Sequence, residues 1–228
     1  MSRKGEIYSD YNLHKNNGNE ILFKKSEWVP ESCIQTKEES GILINPTLRE
    51  SFARVMKLHT PVNDSCIVSV CTKTRPYQKS FKWSKIIRHG LDIKNDLIVL
   101  SDGGIIPRPF WHSYPYLTYT YTSHTPDDFL YSFTTFRRLL LFFRKHRYKK
   151  IVFFIRYTSR AREVCIKAGD VLLKKGLIEE YAILPTEAAY ERDKIDKKGA
   201  GSIANECRTN SFNQLLHECE IKETGLLF

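Results

Sequence analysis

No two of the six cysteines (Cys33, Cys66, Cys71, Cys165, Cys207 and Cys219) are spaced Cys-x-x-Cys, and their spacings match no zinc framework. No apolar run approaches the roughly 20 residues of a membrane span. The longest, Leu139 to Phe143, gives way at once to Arg144, Lys145 and Arg147. The opening MSRKGEIYSD is polar from its second residue and does not read as a secretory signal. These absences lead us to expect no metal, no cofactor and no membrane partner, and a cytoplasmic chain whose cysteines are reduced thiols. Acidic residues are also in short supply, 26 against 36 Lys and Arg, for a formal net charge of +10. A surplus of that sign favours polyanionic partners, nucleic acid among them.

What is present is ordinary globular composition, 41% hydrophobic and 27% charged, in a chain of 228 residues, enough to bury a core without staples. Residues 1–44 are polar, with one apolar patch at Ile21 to Phe23, and read as an extension holding at most a short strand. Asn45-Pro46 reads as a cap with proline at the first helical position. Leu48, Phe52, Val55 and Met56 then recur at helical spacing. Cys66 to Cys71 is a short β-branched strand, followed by a polar loop over 72–79. Residues 80–90 read as a helix with Phe81, Ile86 and Ile87 inward. Leu97 to Leu100 is a second strand, running into Ser101-Asp102-Gly103-Gly104, a tight turn or an anion-binding nest at the head of a polar loop over 101–113.

Residues 116–122 alternate with period two, as a strand does. The spacing predicts a long helix over 126–147, a strand at 151–155, a helix at 159–175 and a strand at 181–184. Strands alternating with helices make an α/β domain over residues 45–185: three layers, a mostly parallel sheet flanked by helices. Residues 186–228 read as a charged, basic tail with a short helix near Phe212 to His217.

The chemistry-bearing string is Cys71-Thr-Lys73-Thr-Arg75-Pro76-Tyr77-Gln-Lys79-Ser80-Phe-Lys82-Trp83. A thiol at the end of a strand, close to Lys73, Arg75, Lys79 and a helix start, is placed where thiolate character is favoured. Ser80 is suited to cap that helix or to meet a ligand, and Tyr77 and Trp83 to stack on a base. The plain alternative is a buried strand cysteine beside a solvated basic loop.

The string resembles the motif of the archaeosine synthase family, in which Cys, three residues, Lys-Pro-Tyr, two residues, Ser, two residues and His follow a Pro. Cys71, Pro76, Tyr77 and Ser80 match, and Arg75 keeps the charge of the family Lys. Val70 stands at the family Pro and Trp83 at the family His. Gly104-Ile105-Ile106-Pro107-Arg108 and Tyr114-Pro115 are similar to later stretches of the family, so the resemblance covers residues 45–185.

It implies a uracil-DNA-glycosylase-like fold and a tRNA-modification activity. Cys71 would attack the nitrile of preQ0 in tRNA, and an amine, lysine in the family, would convert it to an amidine. It implies Cys71, Arg75, Tyr77 and Ser80 as catalytic residues, with proton donation left to His89, His112 or His124 in place of the family His. The RNA contacts expected beside them are Lys73, Lys79, Lys82 and Arg108, with Arg144, Lys145 and Arg147 from the basic cluster at the end of the long helix. Family members carry a transglycosylase-like barrel and an RNA-binding PUA domain as well, so partner subunits supplying these are expected. The alternative is a catalytically inactive RNA-binding module or an assembly subunit of such a complex.

Overall fold

A computed structural model describes residues 13–16, 19–22, 46–72, 74–113, 116, 128–195 and 207–219. In the extension, β1 (Leu13–Asn16) and β2 (Asn19–Leu22) pair antiparallel. The main body then runs α1 (Pro46–Leu58), β3 (Ser65–Val70), α2 (Phe81–Arg88), α3 (Leu91–Lys94), β4 (Asp96–Ser101) and β5 (Gly104–Pro107). It continues with α4 (Asp128–Lys145), β6 (Lys150–Phe154), α5 (Arg160–Lys174), β7 (Glu180–Leu184), α6 (Glu187–Ile195) and α7 (Thr209–Cys219). The sheet has the order β5-β4-β3-β6-β7. Strands β4, β3, β6 and β7 are parallel neighbours, and β5 closes one edge antiparallel to β4.

Adjacent side chains of a strand point to opposite faces, and β6 shows which layer covers each. Phe153 meets Tyr181, whose ring lies against Gly169 of α5. Phe154 meets Phe212 of α7. The α5 face is shared with α1 and α4, and the α7 face with α2 and α3. The fold is therefore three-layer α/β, with β3, β4 and β6 wholly enclosed between the layers.

Several expectations need correction. The stretch expected as a polar loop contains β5 and a turn of 3-10 helix, Arg108–Phe110, because Ile105 and Ile106 extend the sheet through a hairpin. Phe81 is 51% exposed, while its neighbours Lys82 and Trp83 turn inward. The domain does not stop at 185 with a tail. Phe212, Leu215 and Cys219 form the apolar stripe of α7 and join the core. Asp193 of α6 fixes the start of α7, accepting from the backbone N–H of Asn210 at 3.0 Å and of Ser211 at 2.9 Å. The strand expected over 116–122 lies outside the described residues except for Tyr116, which is buried in a turn.

Two buried histidines make stability acid-sensitive. His59 and His146 pack 4.9 Å apart, with Phe142 against both rings. His59 Nε2 donates to Tyr148 Oη at 2.8 Å, and Tyr148 donates to Asp96 at 2.8 Å. Burial, helped by His146, lowers His59 to about 3. Burial and Lys145 lower His146 to about 4, against a backbone contact from Met56. Both folded pKa values lie below the unfolded value of about 6.5, so the unfolded chain binds more protons in between. The stability they contribute is present above pH 6.5 and is lost as pH falls from there toward pH 4. Each group adds a slope of about 1.4 kcal/mol per pH unit over its window. Urea midpoints should drop steeply between pH 6.5 and 4.5, and His146→Gln should flatten that slope by about half.

Candidate active site

In parallel sheets, ligands bind where connections from neighbouring strands depart in opposite directions. Here the chain leaves β3 for α2 on one face and leaves β6 for α5 on the other, so the switch point, where the crevice of such a sheet is expected, falls between their carboxyl ends. Cys71 is the first residue past β3. Its backbone N–H donates to Leu100 at 2.8 Å, which carries the ladder one step further, and its side chain is half-buried.

The loop that follows is held by its own charges. Lys82 Nζ donates to the Val70 carbonyl at 2.8 Å. Arg75 Nη1 donates to the Thr72 carbonyl at 2.5 Å, and its guanidinium lies 4.9 Å from the Tyr77 ring centroid. Arg75-Pro76 is a cis peptide bond.

Asp102 occupies the same edge at the end of β4. Arg138 of α4 donates to its backbone carbonyl at 2.5 Å. Its side chain is buried, and burial pushes the carboxyl above the ordinary carboxylate value, against the pull of Arg160 and Arg138. Arg160, at the start of α5, stands 3.8 Å over the ring of Tyr131. Burial raises the phenol of Tyr131, with the negative fields of Asp102, Cys165 and Cys71 adding and that of Arg160 opposing. Tyr131 is thus a neutral phenol within electrostatic reach of both Asp102 and Cys71. A thiol, a carboxyl that resists ionisation, a phenol and two arginines converge on one edge.

The sequence-predicted residues do not all gather there. Tyr77 is fully buried edge-on to Trp111, 5.8 Å between centroids, so it is packing and offers no face to a base. Trp83 is equally buried, 4.8 Å from Trp111. Ser80 caps α2, accepting from the Trp83 backbone N–H at 3.4 Å. Lys82 is 2% exposed and bonded to β3, so it is not a phosphate contact. Lys79 is exposed beside the crevice loop, and Lys73 lies outside the described residues.

Arg108 pairs with Asp92 of α3. Arg144, Lys145 and Arg147 are exposed, but α4 ends where β6 begins, so they sit at the amino edge of the sheet. A five-residue strand, about 17 Å, separates that edge from Cys71. Of the candidate proton donors, His89 ends α2 near the amino edge, its ring 5.0 Å from Phe212. His112 is half-buried and bonded to Gln78, its pKa lowered by burial, Lys79 and Arg108. His124 lies outside the described residues.

Sequence reasoning weighed Asp102 only as part of a turn, and missed Tyr131 and Arg160 altogether. The available signal was positional: Asp102 directly follows a strand, and Arg160 follows the Ser159 cap of the helix after β6. The Asp102-Gly103-Gly104 turn is the β4–β5 hairpin turn, its Gly103 N–H donated to Ser101 Oγ at 3.2 Å.

No protein-family model matches this chain, and no curated protein matches it. Among solved structures, AF0587, described as a protein of unknown function, is similar at 17% identity and a TM-score of 0.47. The similarity covers 77% of this chain and 51% of that one, so this chain spans about half of its neighbour's length. Among the described residues no helix is long and apolar enough to cross a membrane. None of their His, Cys, Asp and Glu side chains form a group of three or more able to hold a metal ion.

Proposed function

We propose that this chain is a tRNA-modification protein of the archaeosine-synthase type, in which Cys71 attacks the nitrile of preQ0 held in tRNA. The observation that carries the reading is the half-buried thiol of Cys71 at the crevice between β3 and β6, on one edge with the buried carboxyl of Asp102. A nitrile carbon needs a soft nucleophile and its nitrogen needs a proton. The thiolate of Cys71 adds to the carbon while Asp102, in its acid form, protonates the nitrogen, giving a thioimidate. The incoming amine then bonds to that carbon and the carbon–sulfur bond breaks. Sulfur leaves as thiolate and the Asp102 carboxylate takes the surplus amine proton. Both groups return to their starting forms, and the net change joins amine and nitrile into an amidine.

Asp102 fills the role that the family gives to a histidine at position 83. Trp83 is sealed in the core, so a side chain at that position does not reach the crevice of this chain. The positive charges of Arg160 and Arg138, which act on Asp102, favour an anionic ligand at this edge.

The test is nucleoside mass spectrometry on preQ0-bearing tRNA incubated with the protein and lysine, beside a Cys71→Ser control. A base adduct that requires Cys71 is the expected result. Firm tRNA binding with no adduct, with or without the expected partner subunits, would leave an RNA-binding module and overturn the enzyme reading.

A further inference from the structure

The basic cluster that the sequence draws attention to is at the amino edge, away from Cys71; its Arg144, Lys145 and Arg147 are exposed, while the two lysines that follow are paired. Lys149 pairs with Asp64 at 2.7 Å, and Lys150 with Glu218 at 2.5 Å and Glu180 at 3.2 Å. The aromatic residue among them, Tyr148, is buried and bonded to Asp96. The carboxyl edge is built differently. Past the end of β6, Arg156 is exposed. Next to it, Tyr157 stacks on Tyr190 of α6, 4.8 Å between centroids and 22° between planes. Arg162 lies 4.8 Å from the Tyr157 ring on one flank, and Lys194 lies 4.5 Å from the Tyr190 ring on the other. Cation, ring, ring and cation thus follow one another beside the crevice. β7, which leads into α6, is two strand spacings, about 10 Å, from β3 and Cys71.

We infer that this ladder of Arg156, Arg162 and Lys194 around the Tyr157–Tyr190 stack is the surface that seats single-stranded RNA and leads one of its nucleotides to Cys71. The inference rests on the tRNA reading above and adds where the RNA lies. Unstacked bases are held by guanidinium planes as well as by aromatic faces, and their phosphates by arginine and lysine; Tyr190 is buried in the stack, so the part-exposed Tyr157 and Arg162 are the groups that meet a base. A duplex presents neither free base faces nor a strand narrow enough for one ring pair, so a loop is the form that fits. The ladder continues the positive charges of Arg160 and Arg138 that act on Asp102. Glu191, 2.6 Å from Lys194, sets the limit of the track on α6.

The experiment is fluorescence anisotropy of a labelled tRNA transcript, titrated at several salt concentrations with the full chain and two triple variants. The first carries Arg156→Ala, Arg162→Ala and Lys194→Ala, the second Arg144→Ala, Lys145→Ala and Arg147→Ala. The ladder variant should bind about ten-fold or more weakly, with a shallower salt dependence by roughly two to three ions. The amino-edge variant should stay within about two-fold. An unlabelled single-stranded oligonucleotide should compete better than a duplex of the same length. Arg162 also donates to the Ile155 carbonyl at 3.3 Å, so its loss could loosen the fold. Arg156→Glu alone, on an exposed side chain, provides the independent reading and should weaken binding by itself. Loss confined to the amino-edge variant, equal loss in both, or no binding at all overturns the inference. The chemical assay separates the two ideas: a Cys71-dependent adduct that ignores the ladder substitutions keeps the tRNA reading and removes this one.

Discussion

Cys71→Ser should abolish adduct formation, and Asp102→Asn should slow it by about 10²–10⁴-fold, the usual worth of a positioned general acid. The two losses have different causes, and pH separates them. Serine at position 71 keeps the size of the side chain but presents an alcohol that is not ionised near neutrality, so the first bond does not form at any pH. Asparagine at 102 keeps the shape of the turn and the carbonyl that Arg138 holds at 2.5 Å, but has no proton to give.

The wild-type acid has a pKa raised by burial and only partly pulled back by Arg160 and Arg138. Its activity should therefore persist above the ordinary carboxylate range and fall as pH rises through that raised value. Asp102→Asn should show a low rate without that descending limb. The same substitution removes a carboxyl whose ionised form is disfavoured in the folded chain. For an acid with a raised folded pKa, stability falls as pH rises through the shifted window, so neutral Asn should melt at the same temperature or higher. A variant that loses rate while keeping or gaining stability is the signature of a reacting group. A variant that loses both identifies Asp102 as structural. Rates come from timed mass spectrometry of the base adduct, and melting from circular dichroism.

Strands announced themselves where they are buried on both faces. Ile67 and Val68 of β3, and Ile151 to Phe154 of β6, are apolar runs too short for helices, and the sheet is parallel there. β5 escaped notice because it is a four-residue antiparallel edge, Gly104–Pro107, and its Gly and Pro read as loop chemistry. α7 was legible as a short helix near Phe212 to His217, but its place in the core was not, because the segment before it is charged and two of its packing partners, β6 and β7, come earlier in the chain. The end of β3 was legible as a candidate site because a thiol and basic residues share one short loop.

The companions of Cys71 were not legible, since Asp102, Tyr131 and Arg160 come from three separate elements and meet through topology alone. The same limit misled the reading of the string itself. Spacing from Cys71 suggested that Tyr77 and Trp83 face a ligand. The 3-10 turn at Tyr77–Lys79 and the Ser80 cap rotate both rings into the core instead.

Placing at position 83 the histidine of the motif that the string resembles, by Trp83→His, should cost stability and bring no activity. Trp83 is fully buried, with Trp111 packed at 4.8 Å and Ile86 one turn along α2. Histidine leaves much of that volume empty and brings a polar ring into it. Large-to-small changes at such sites and unsatisfied buried polar groups together cost about 3 kcal/mol. For a chain of this size that is a fall in melting temperature of about 10 °C. Trp83→Phe is the informative companion. The indole N–H of Trp83 has no hydrogen-bond partner among the described residues, so phenylalanine gives up area without giving up a bond. It should cost less than histidine does, about 1–2 kcal/mol. Thermal melts of the three proteins order them as Trp, Phe, His. If Trp83→His instead raised the adduct rate at unchanged stability, position 83 would reach the crevice, and Asp102 would lose its place as the proton donor.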